Sequence, residues 1–350
     1  MAVCFLSYHN DIRSIKQAIA LEELGIDILF VHAKSNPSFK HALPNQSFYE
    51  MGVNREKSII HRLRHLGDSI ELIHVHSEPE DLVSIARKAR PDLKIIYDCH
   101  DLDFMRYNIT SEAQKSAMKD CDAIIFPSKG YSKGINEEFK VVKDKPQAVV
   151  YSMVNNCFIG KPSRPHIGGI VYQGGLTKTD YAKLQKNGEF GERDYIPMIS
   201  EITKRDYNVF LYSAGAFPAA YYEQAGATVM PTRPYQALME DLQRYDWGLF
   251  GSMFPCKQIE NSMPNKLFEY IAAGLPVLVY NCSPESEVVQ FIRETNTGVL
   301  VSDWDELDFH YSNLMEYKKR AREKRWYLTM EREIVKVLKL YDEVMGKDNE

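Results

Sequence analysis

The sequence lacks paired cysteines. Its six cysteines are scattered along 350 residues, and no two of them form a Cys-x-x-Cys pair. Zinc ribbons and thioredoxin-like redox sites need such closely spaced thiols. We therefore expect reduced thiols, mostly buried in the core.

Long apolar runs and an excess of basic residues are also missing. No segment approaches about 18 uninterrupted apolar residues, and the N-terminal MAVCFLSYHND has no basic stretch followed by an apolar one. The formal net charge is -5, whereas nucleic-acid-binding domains usually carry a basic surface. These absences predict a cytoplasmic protein with no nucleic-acid partner and at most a peripheral contact with the cytoplasmic membrane face.

The first predicted strand is not followed by a Gly-x-Gly-x-x-Gly turn, which argues against a dinucleotide-binding dehydrogenase. The chain opens instead with strand AVCFLSY, helix DIRSIKQAIALEELG and strand IDILFVHA, which make a βαβ unit. Two successive series of alternating strands and helices predict an α/β protein. We expect two doubly wound, Rossmann-like domains facing a central cleft.

Composition indicates where these domains begin and end. Residues 1–152 make the first domain, and residues 153–168 are rich in Pro, Gly and Asn and are typical of a linker. Residues 169–325 make the second domain, and 326–350 continue a long amphipathic helical stretch. The apolar residues of this stretch that are expected to pack on a neighbour are Trp326, Leu328, Ile334, Val337, Leu338 and Tyr341.

The segment NSMPNKLFEYIAAGLPVLVY, residues 261–280, carries a lysine and a glutamate one turn apart on a helix that leads into an apolar strand. Pro264 suits the first helical position, and Gly274 ends the helix. Lys266 is unfavourable at a helix N-terminus unless an anion such as phosphate compensates it. The carboxylate of Glu269 suits the two hydroxyls of a ribose. The pair predicts nucleotide recognition; the alternative is a solvated Lys/Glu pair.

This segment resembles the signature region of the nucleotide-sugar-dependent glycosyltransferases of the GT-B fold, family 4 type. Weaker similarities follow in order over nearly the whole chain, in the opening βαβ unit, YDCHDLD, IVYQGGLTK and RWYLTMEREIVKVLKLYDEV. The resemblance implies that Glu269 binds the ribose of the donor. It also implies that the closing helix crosses back to the first domain, and that no metal or other cofactor is needed because helix amides and lysines hold the phosphates.

Two positions depart from the family pattern. The family commonly has two glutamates separated by seven residues, the first of which contacts the donor sugar; Asn261 stands there, beside Glu260. The family's phosphate loop often carries an arginine after its glycine, where this chain has Gly175. The resemblance therefore leaves Asn261 or Glu260 for the donor sugar, and Lys178 and Lys266 for the phosphate charge.

Two further segments of the second domain are candidates for the nucleotide site. In QGGLTK, the amides of Gly174 and Gly175 can approach a diphosphate because glycine has no Cβ, although a tight turn without a ligand explains the motif too. In MPTRPY, Arg233 is either a nucleotide contact or part of a surface salt bridge.

Polar residues also follow strands of the first domain. In YDCHDLD, His100 and Asp101 come at a strand's carboxyl end, where open α/β sheets bind ligands. We interpret His100 as an active-site group near the reacting sugar, oriented by Asp101; a buried structural pair and a metal site are the alternatives. SYHND places His9 at the end of the first strand, in the same region.

Residues 34–65 are rich in Lys, Arg and His. Such a segment attracts anionic lipid head groups or a polyprenyl-phosphate acceptor, and a solvated helix face explains it equally well. Its basic residues are Lys34, Lys40, Arg55, Lys57, Arg62 and Arg64.

The sequence thus predicts a hexosyltransferase that moves a sugar from a nucleoside diphosphate-sugar to an acceptor hydroxyl in polysaccharide, glycolipid or glycan assembly. The resemblance implies retention of the anomeric configuration. Two alternatives remain open: a nucleotide-sugar 2-epimerase of the same fold, and a non-catalytic binding subunit of GT-B type.

Overall fold

The computed structural model describes residues 1–9, 11–34, 47–48, 55–67, 69–76, 79–100, 109–160, 164–179, 193–214, 217–251 and 257–347. The chain forms two compact units. The first comprises Met1–Asn155 together with Met330–Glu350, and the second comprises Asn156–Thr329. The first unit is therefore built from both ends of the chain.

The first unit contains a 7-stranded parallel sheet in the order β3-β2-β1-β4-β5-β6-β7. The strands are β1 (Ala2–His9), β2 (Asp27–Lys34), β3 (Ser47–Phe48), β4 (Leu72–His76), β5 (Lys94–Asp98), β6 (Ala123–Phe126) and β7 (Gln147–Val149). Because β2 and β4 flank β1, the strand order reverses between β1 and β4. Open α/β sheets bind ligands at such a switch point.

Helices connect these strands, and several begin at a side chain that accepts a backbone N–H. Asp11 accepts from Ser14, and Ser128 accepts from Tyr131. The helices of the first unit are Ile12–Glu23, Arg55–Arg64, Asp81–Ala89, Glu112–Asp120, Lys129–Glu138, Met330–Glu333 and Val335–Met345, with a 3-10 turn at Lys140–Val142.

The second unit contains a 6-stranded parallel sheet in the order β10-β9-β8-β11-β12-β13. The strands are β8 (Ile170–Gln173), β9 (Val209–Tyr212), β10 (Thr228–Val229), β11 (Trp247–Gly251), β12 (Val277–Tyr280) and β13 (Gly298–Val301). Its strand order reverses between β8 and β11. The helices are Ile196–Thr203, Ala219–Gln224, Tyr235–Leu242, Lys257–Asn261, Asn265–Ala272, Glu287–Thr295, Leu307–Ser312 and Leu314–Lys324, with 3-10 turns at Asn156–Phe158 and Trp304–Glu306.

The predicted fold class, two doubly wound Rossmann-like α/β sheets, is confirmed. Sequence reasoning did not identify the strands Ser47–Phe48 and Gly298–Val301. The first has only two residues, and the second carries a single short apolar run.

The prediction of one long closing helix is wrong. The stretch divides into Leu314–Lys324, Met330–Glu333 and Val335–Met345. The break leaves Trp326 48% exposed instead of packed, whereas Ile334, Val337 and Tyr341 are buried as expected. Among the residues described, no helix is both long and apolar enough to cross a membrane.

Candidate active site

In the second unit, the helix Asn265–Ala272 lies at the carboxyl end of β8, at the point where the strand order reverses. Tyr270 fixes this position, since its ring contacts Gly248 of β11 so closely that a Cβ there would lie 2.2 Å from the ring. The Tyr270 hydroxyl accepts the backbone N–H of Gln173 at 2.9 Å. Pro264 precedes the helix and supplies no side-chain cap, so it leaves the first helical amides without a capping acceptor.

Lys266 extends from the first turn of this helix to the glycine turn after β8. Its Nζ donates to the Tyr172 hydroxyl at 2.7 Å. Gly174 has a φ of +139°, and a Cβ there would lie 2.8 Å from the Lys266 Nζ. Burial and then the charge of Arg193 lower the pKa of Lys266 to about 7, against the opposing effect of Glu269. The backbone conformation thus favours glycine here, and the missing Cβ leaves room for the ammonium.

Arg193 is the second cation at this turn, and sequence reasoning missed it. A Cβ on Gly175 would lie 3.2 Å from its Nη1, and its backbone carbonyl accepts the N–H of Thr177 at 3.0 Å. No sequence motif marks Arg193, because it is distant from Gly175 in the sequence and only the fold brings the two together. Its guanidinium lies beside Gly175, the position at which the family pattern often has an arginine.

The two cations repel each other, as the lowered pKa of Lys266 reflects. Within the described ranges, neither Lys266 nor Arg193 forms an ion pair with a carboxylate. An anion at this turn would relieve the repulsion between the two cations, and glycine turns whose backbone amides are accessible can bind anions.

Glu269 lies one turn along the same helix and is only 3% exposed. Its carboxylate accepts a hydrogen bond from the side-chain amide of Gln173, at the end of β8. Burial, and then the charge of Glu269, hold the pKa of the Tyr235 hydroxyl well above its ordinary value. The arrangement keeps a buried acceptor next to the cationic turn, where the resemblance predicts a ribose.

The two candidates for the donor sugar make local contacts instead. The Glu260 carboxylate accepts the backbone N–H of Ser283 at 3.2 Å, and the Asn261 side chain donates to the Lys257 carbonyl at 2.7 Å. These bonds secure the helix Lys257–Asn261 and the loop after β12. A contact of either residue with sugar stays a prediction.

Two predicted nucleotide residues have partners of their own. The Lys178 Nζ lies 3.4 Å from the ring centre of Tyr221. Arg233 pairs with the buried carboxylate of Asp241 at 3.1 Å, which is the salt bridge that the sequence left open. Their part in nucleotide binding stays a prediction.

In the first unit, Asp98 at the end of β5 is the centre of a buried polar cluster. Arg13 makes a forked contact with its carboxylate at 3.0 and 3.1 Å, and Gln17 donates to it at 2.6 Å. Burial alone would raise the pKa of Asp98, but Arg13 and then His100 hold it well below its ordinary value. The cluster is thus a buried ion pair in which Arg13 and Gln17 satisfy the Asp98 carboxylate, whereas both ring nitrogens of His76 lack a hydrogen-bond partner among the described residues.

His100 lies at the edge of this cluster and is partly accessible. Its Nε2 is 3.4 Å from Asp98, and its Nδ1 is 3.8 Å from Asp11. Burial lowers the pKa of His100, but these two carboxylates outweigh it and the pKa is raised. The partner predicted from sequence, Asp101, lies outside the described residues, as does the side chain of His9.

His74, His76 and Asp98 also have ligand atoms within 4.8 Å of one another, as a metal site requires. Arg13 and Gln17 already satisfy the Asp98 carboxylate, and His74 Nδ1 is hydrogen-bonded to the Tyr341 hydroxyl at 2.7 Å. A divalent cation would lie beside a buried guanidinium. This repulsion favours an ion-paired structural centre over a metal site.

No protein-family model matches the chain, and no curated protein sequence matches it. Solved structures do match. A glycosyltransferase from Rickettsia africae ESF-5 is similar with a TM-score of 0.69 at 13% identity, and sucrose-phosphate synthase from Thermosynechococcus elongatus with a TM-score of 0.65 at 14% identity; each alignment covers 99% of both chains. An alpha-glucosyltransferase in complex with UDP-glucose and DNA containing an abasic site matches with a TM-score of 0.64 at 11% identity, again over 99% of both chains. The chain therefore has the GT-B fold of these glycosyltransferases.

Proposed function

We propose that the protein is a glycosyltransferase that moves a sugar from a nucleoside diphosphate-sugar to an acceptor hydroxyl. One observation carries the proposal: two cations without carboxylate partners in the described chain surround the glycine turn after β8, with a buried carboxylate one helical turn away. A nucleoside diphosphate carries both complementary groups: its diphosphate can pair with the two cations, and its ribose diol can donate hydrogen bonds to the carboxylate.

In this proposal Lys266, Arg193 and the amides of Gly174 and Gly175 bind the diphosphate, and Glu269 binds the ribose hydroxyls. During transfer, the bond between the anomeric carbon and the diphosphate oxygen breaks, the acceptor oxygen bonds to that carbon, and the acceptor loses its proton. Negative charge grows on the departing diphosphate. Preorganised cations at that position stabilise the transition state more than the bound donor.

The same charges lead us to propose that no metal is needed at the phosphates. Lys266 and Arg193, together with the helix amides, provide the positive charge that a divalent cation supplies in other transferases. We therefore expect turnover to survive treatment with a chelator.

We also propose several finer assignments. They are a hexosyl donor, retention of configuration, and an acceptor that is a glycan or a lipid-linked glycan. UDP-sugars are the first donors to test, because a structural neighbour binds UDP-glucose. The donor-sugar roles of Glu260 and Asn261, the roles of His100, Asp101 and His9, and membrane contact through residues 34–65 belong to the same group.

The test has two stages. Thermal shift with a panel of nucleoside diphosphates should identify one base that raises the unfolding temperature, and that stabilisation should be lost in Glu269→Ala. The matching nucleotide-sugars are then assayed for release of nucleoside diphosphate with and without acceptors, and with EDTA. Isomerisation of the sugar nucleotide without any acceptor would identify an epimerase, and nucleotide binding without turnover would identify a binding subunit.

A further inference from the structure

The helix Leu314–Lys324 of the second unit presents a fixed outer face. Its inner face is anchored by the buried ion pair between Lys318 and Asp246, at 2.9 Å, and by the ring of Tyr317 against Trp247, at 5.4 Å. Ala321, on the same inner face, is fully buried. The packed inner face therefore fixes which side of the helix is directed to solvent.

Met315, Lys319 and Arg322 follow one another at the spacing i, i+4 and i+7, which places them on one side of this helix. Trp326 lies in the turn after the helix, which is closed by the bond from the Tyr327 N–H to the Lys324 carbonyl at 2.9 Å. We call these residues the basic stripe: Met315, Lys319, Arg322 and Trp326.

The basic stripe combines exposed apolar ends with cations between them. Met315 is 72% exposed and Trp326 is 48% exposed, and Tyr327 beside it is exposed as well. In the described part of the chain, neither Lys319 nor Arg322 forms an ion pair with a carboxylate.

A further cation lies next to the stripe. The Arg325 guanidinium lies 4.9 Å from the ring centre of Trp326. Burial and the charge of Arg322 lower the pKa of Arg325. This mutual repulsion of cations on one face favours an anionic partner.

We infer that the basic stripe is a docking surface for a bilayer that contains anionic lipid. Tryptophan and tyrosine favour the boundary between head groups and acyl chains, methionine enters the apolar layer, and lysine and arginine reach the anionic head groups. A nucleic acid would use the cations but would leave Met315 and Trp326 exposed. This surface belongs to the helix Leu314–Lys324 and the turn after it, whereas Lys266 and Glu269 lie on the helix Asn265–Ala272.

The protein contains its own reporter for this contact. Of its three tryptophans, Trp247 and Trp304 are buried and Trp326 is exposed. When the full-length protein binds vesicles of phosphatidylcholine with about 30% phosphatidylglycerol, its tryptophan fluorescence should shift to shorter wavelength, and Trp326 should be the source of this shift. Vesicles of phosphatidylcholine alone should cause little shift, and salt should reverse it because exposed charges are screened.

Sedimentation with the same vesicles tests the residues. The double variant Lys319→Glu/Arg322→Gln should have an affinity at least about thirtyfold lower than that of the parent, since each basic residue contributes about 1 kcal/mol at an anionic surface. The glutamine avoids placing an acid beside Gly274, which the Arg322 side chain covers. The matched control is Lys129→Glu/Lys133→Gln on an exposed helix of the first unit, which changes the net charge equally and should bind like the parent.

Several outcomes would overturn the inference. The first is that the parent does not bind anionic vesicles, and the second is that the stripe variant and the control lose affinity equally. The third is undiminished binding by the stripe variant, which would place the contact in another segment. Binding to duplex DNA without binding to vesicles would assign the surface to nucleic acid instead. Thermal unfolding and nucleoside diphosphate binding of both variants show whether they remain folded.

Discussion

Replacing Lys266 by methionine removes its charge while keeping a side chain of similar length. An ammonium about 4 Å from one additional unit of negative charge contributes about 4 kcal/mol at an effective dielectric constant near 20. Only part of that charge has developed in the transition state, and Arg193 remains in place. A loss of about 2.7 to 4 kcal/mol, or about 10²–10³ in kcat, is therefore expected, as for removal of one oxyanion-hole donor.

Steady-state kinetics of Lys266→Met with the identified donor gives the measurement. The decrease in kcat should exceed the increase in donor KM, because the charge acts mainly on the departing group. Lys266→Arg should recover little, since a larger, planar guanidinium cannot take the place of a compact ammonium that is held against the Tyr172 hydroxyl. Lys204→Met, at an exposed lysine of the same unit, is the control and should match the parent. A folded Lys266→Met enzyme with kcat within about twofold of the parent would refute this role.

Four further predictions concern the candidate nucleotide site of the second unit and the polar cluster around Asp98 in the first. Glu269→Ala should weaken nucleoside diphosphate binding about ten- to a hundredfold, as expected for a lost hydrogen-bonded pair, and unchanged affinity in calorimetry would contradict the ribose assignment. Arg193→Ala should raise the donor KM about tenfold, whereas parent-like kinetics would remove it from the site. Because Lys266 has a pKa of about 7 and a diphosphate binds its charged form, donor affinity should fall about fivefold from pH 7 to 8; a flat profile would argue against that contact. Burial lowers the pKa of His74 to about 3 and that of His76 well below 6.5, so the unfolded chain takes up protons that the folded chain does not. The free energy of unfolding in urea should fall by up to about 1.4 kcal/mol per pH unit for each histidine as the pH decreases below 6.5. His100, whose pKa is raised, is then charged in both states, so constant stability between pH 6 and 5 would contradict the buried, neutral state of His74 and His76.

The sequence predicts the elements whose pattern is local. Alternating apolar strands and amphipathic helices identify both sheets, and the turn from Pro264 to Gly274 identifies the helix that carries Lys266 and Glu269. Arg193 could not be predicted, because its approach to Gly175 depends on the path of the chain and on no spacing in the sequence. Trp326 misled the prediction for a related reason: its position fits a helical period, but the break after Lys324 turns it to solvent.

The polar cluster of the first unit shows the same limit. The sequence places His100 and Asp98 at the end of a strand, but it does not show that Arg13 neutralises the carboxylate. It also does not show that Tyr341 provides the partner of His74. These contacts join residues far apart in the chain, and a buried charge finds its partner only when the core has formed.

The return of the chain to the first unit has a consequence for the order of folding. The contact between His74 and Tyr341 spans 267 residues, and the bond from the Met330 N–H to the Val154 carbonyl, at 3.1 Å, lies where the chain re-enters. Because the second unit is one continuous segment, it can fold without the helices that follow Thr329. The first sheet is completed only when Tyr341 is available to pair with His74. We expect a chain that ends at Thr329 to leave the polar centre of the first unit open, which makes the last two helices the step that completes this unit.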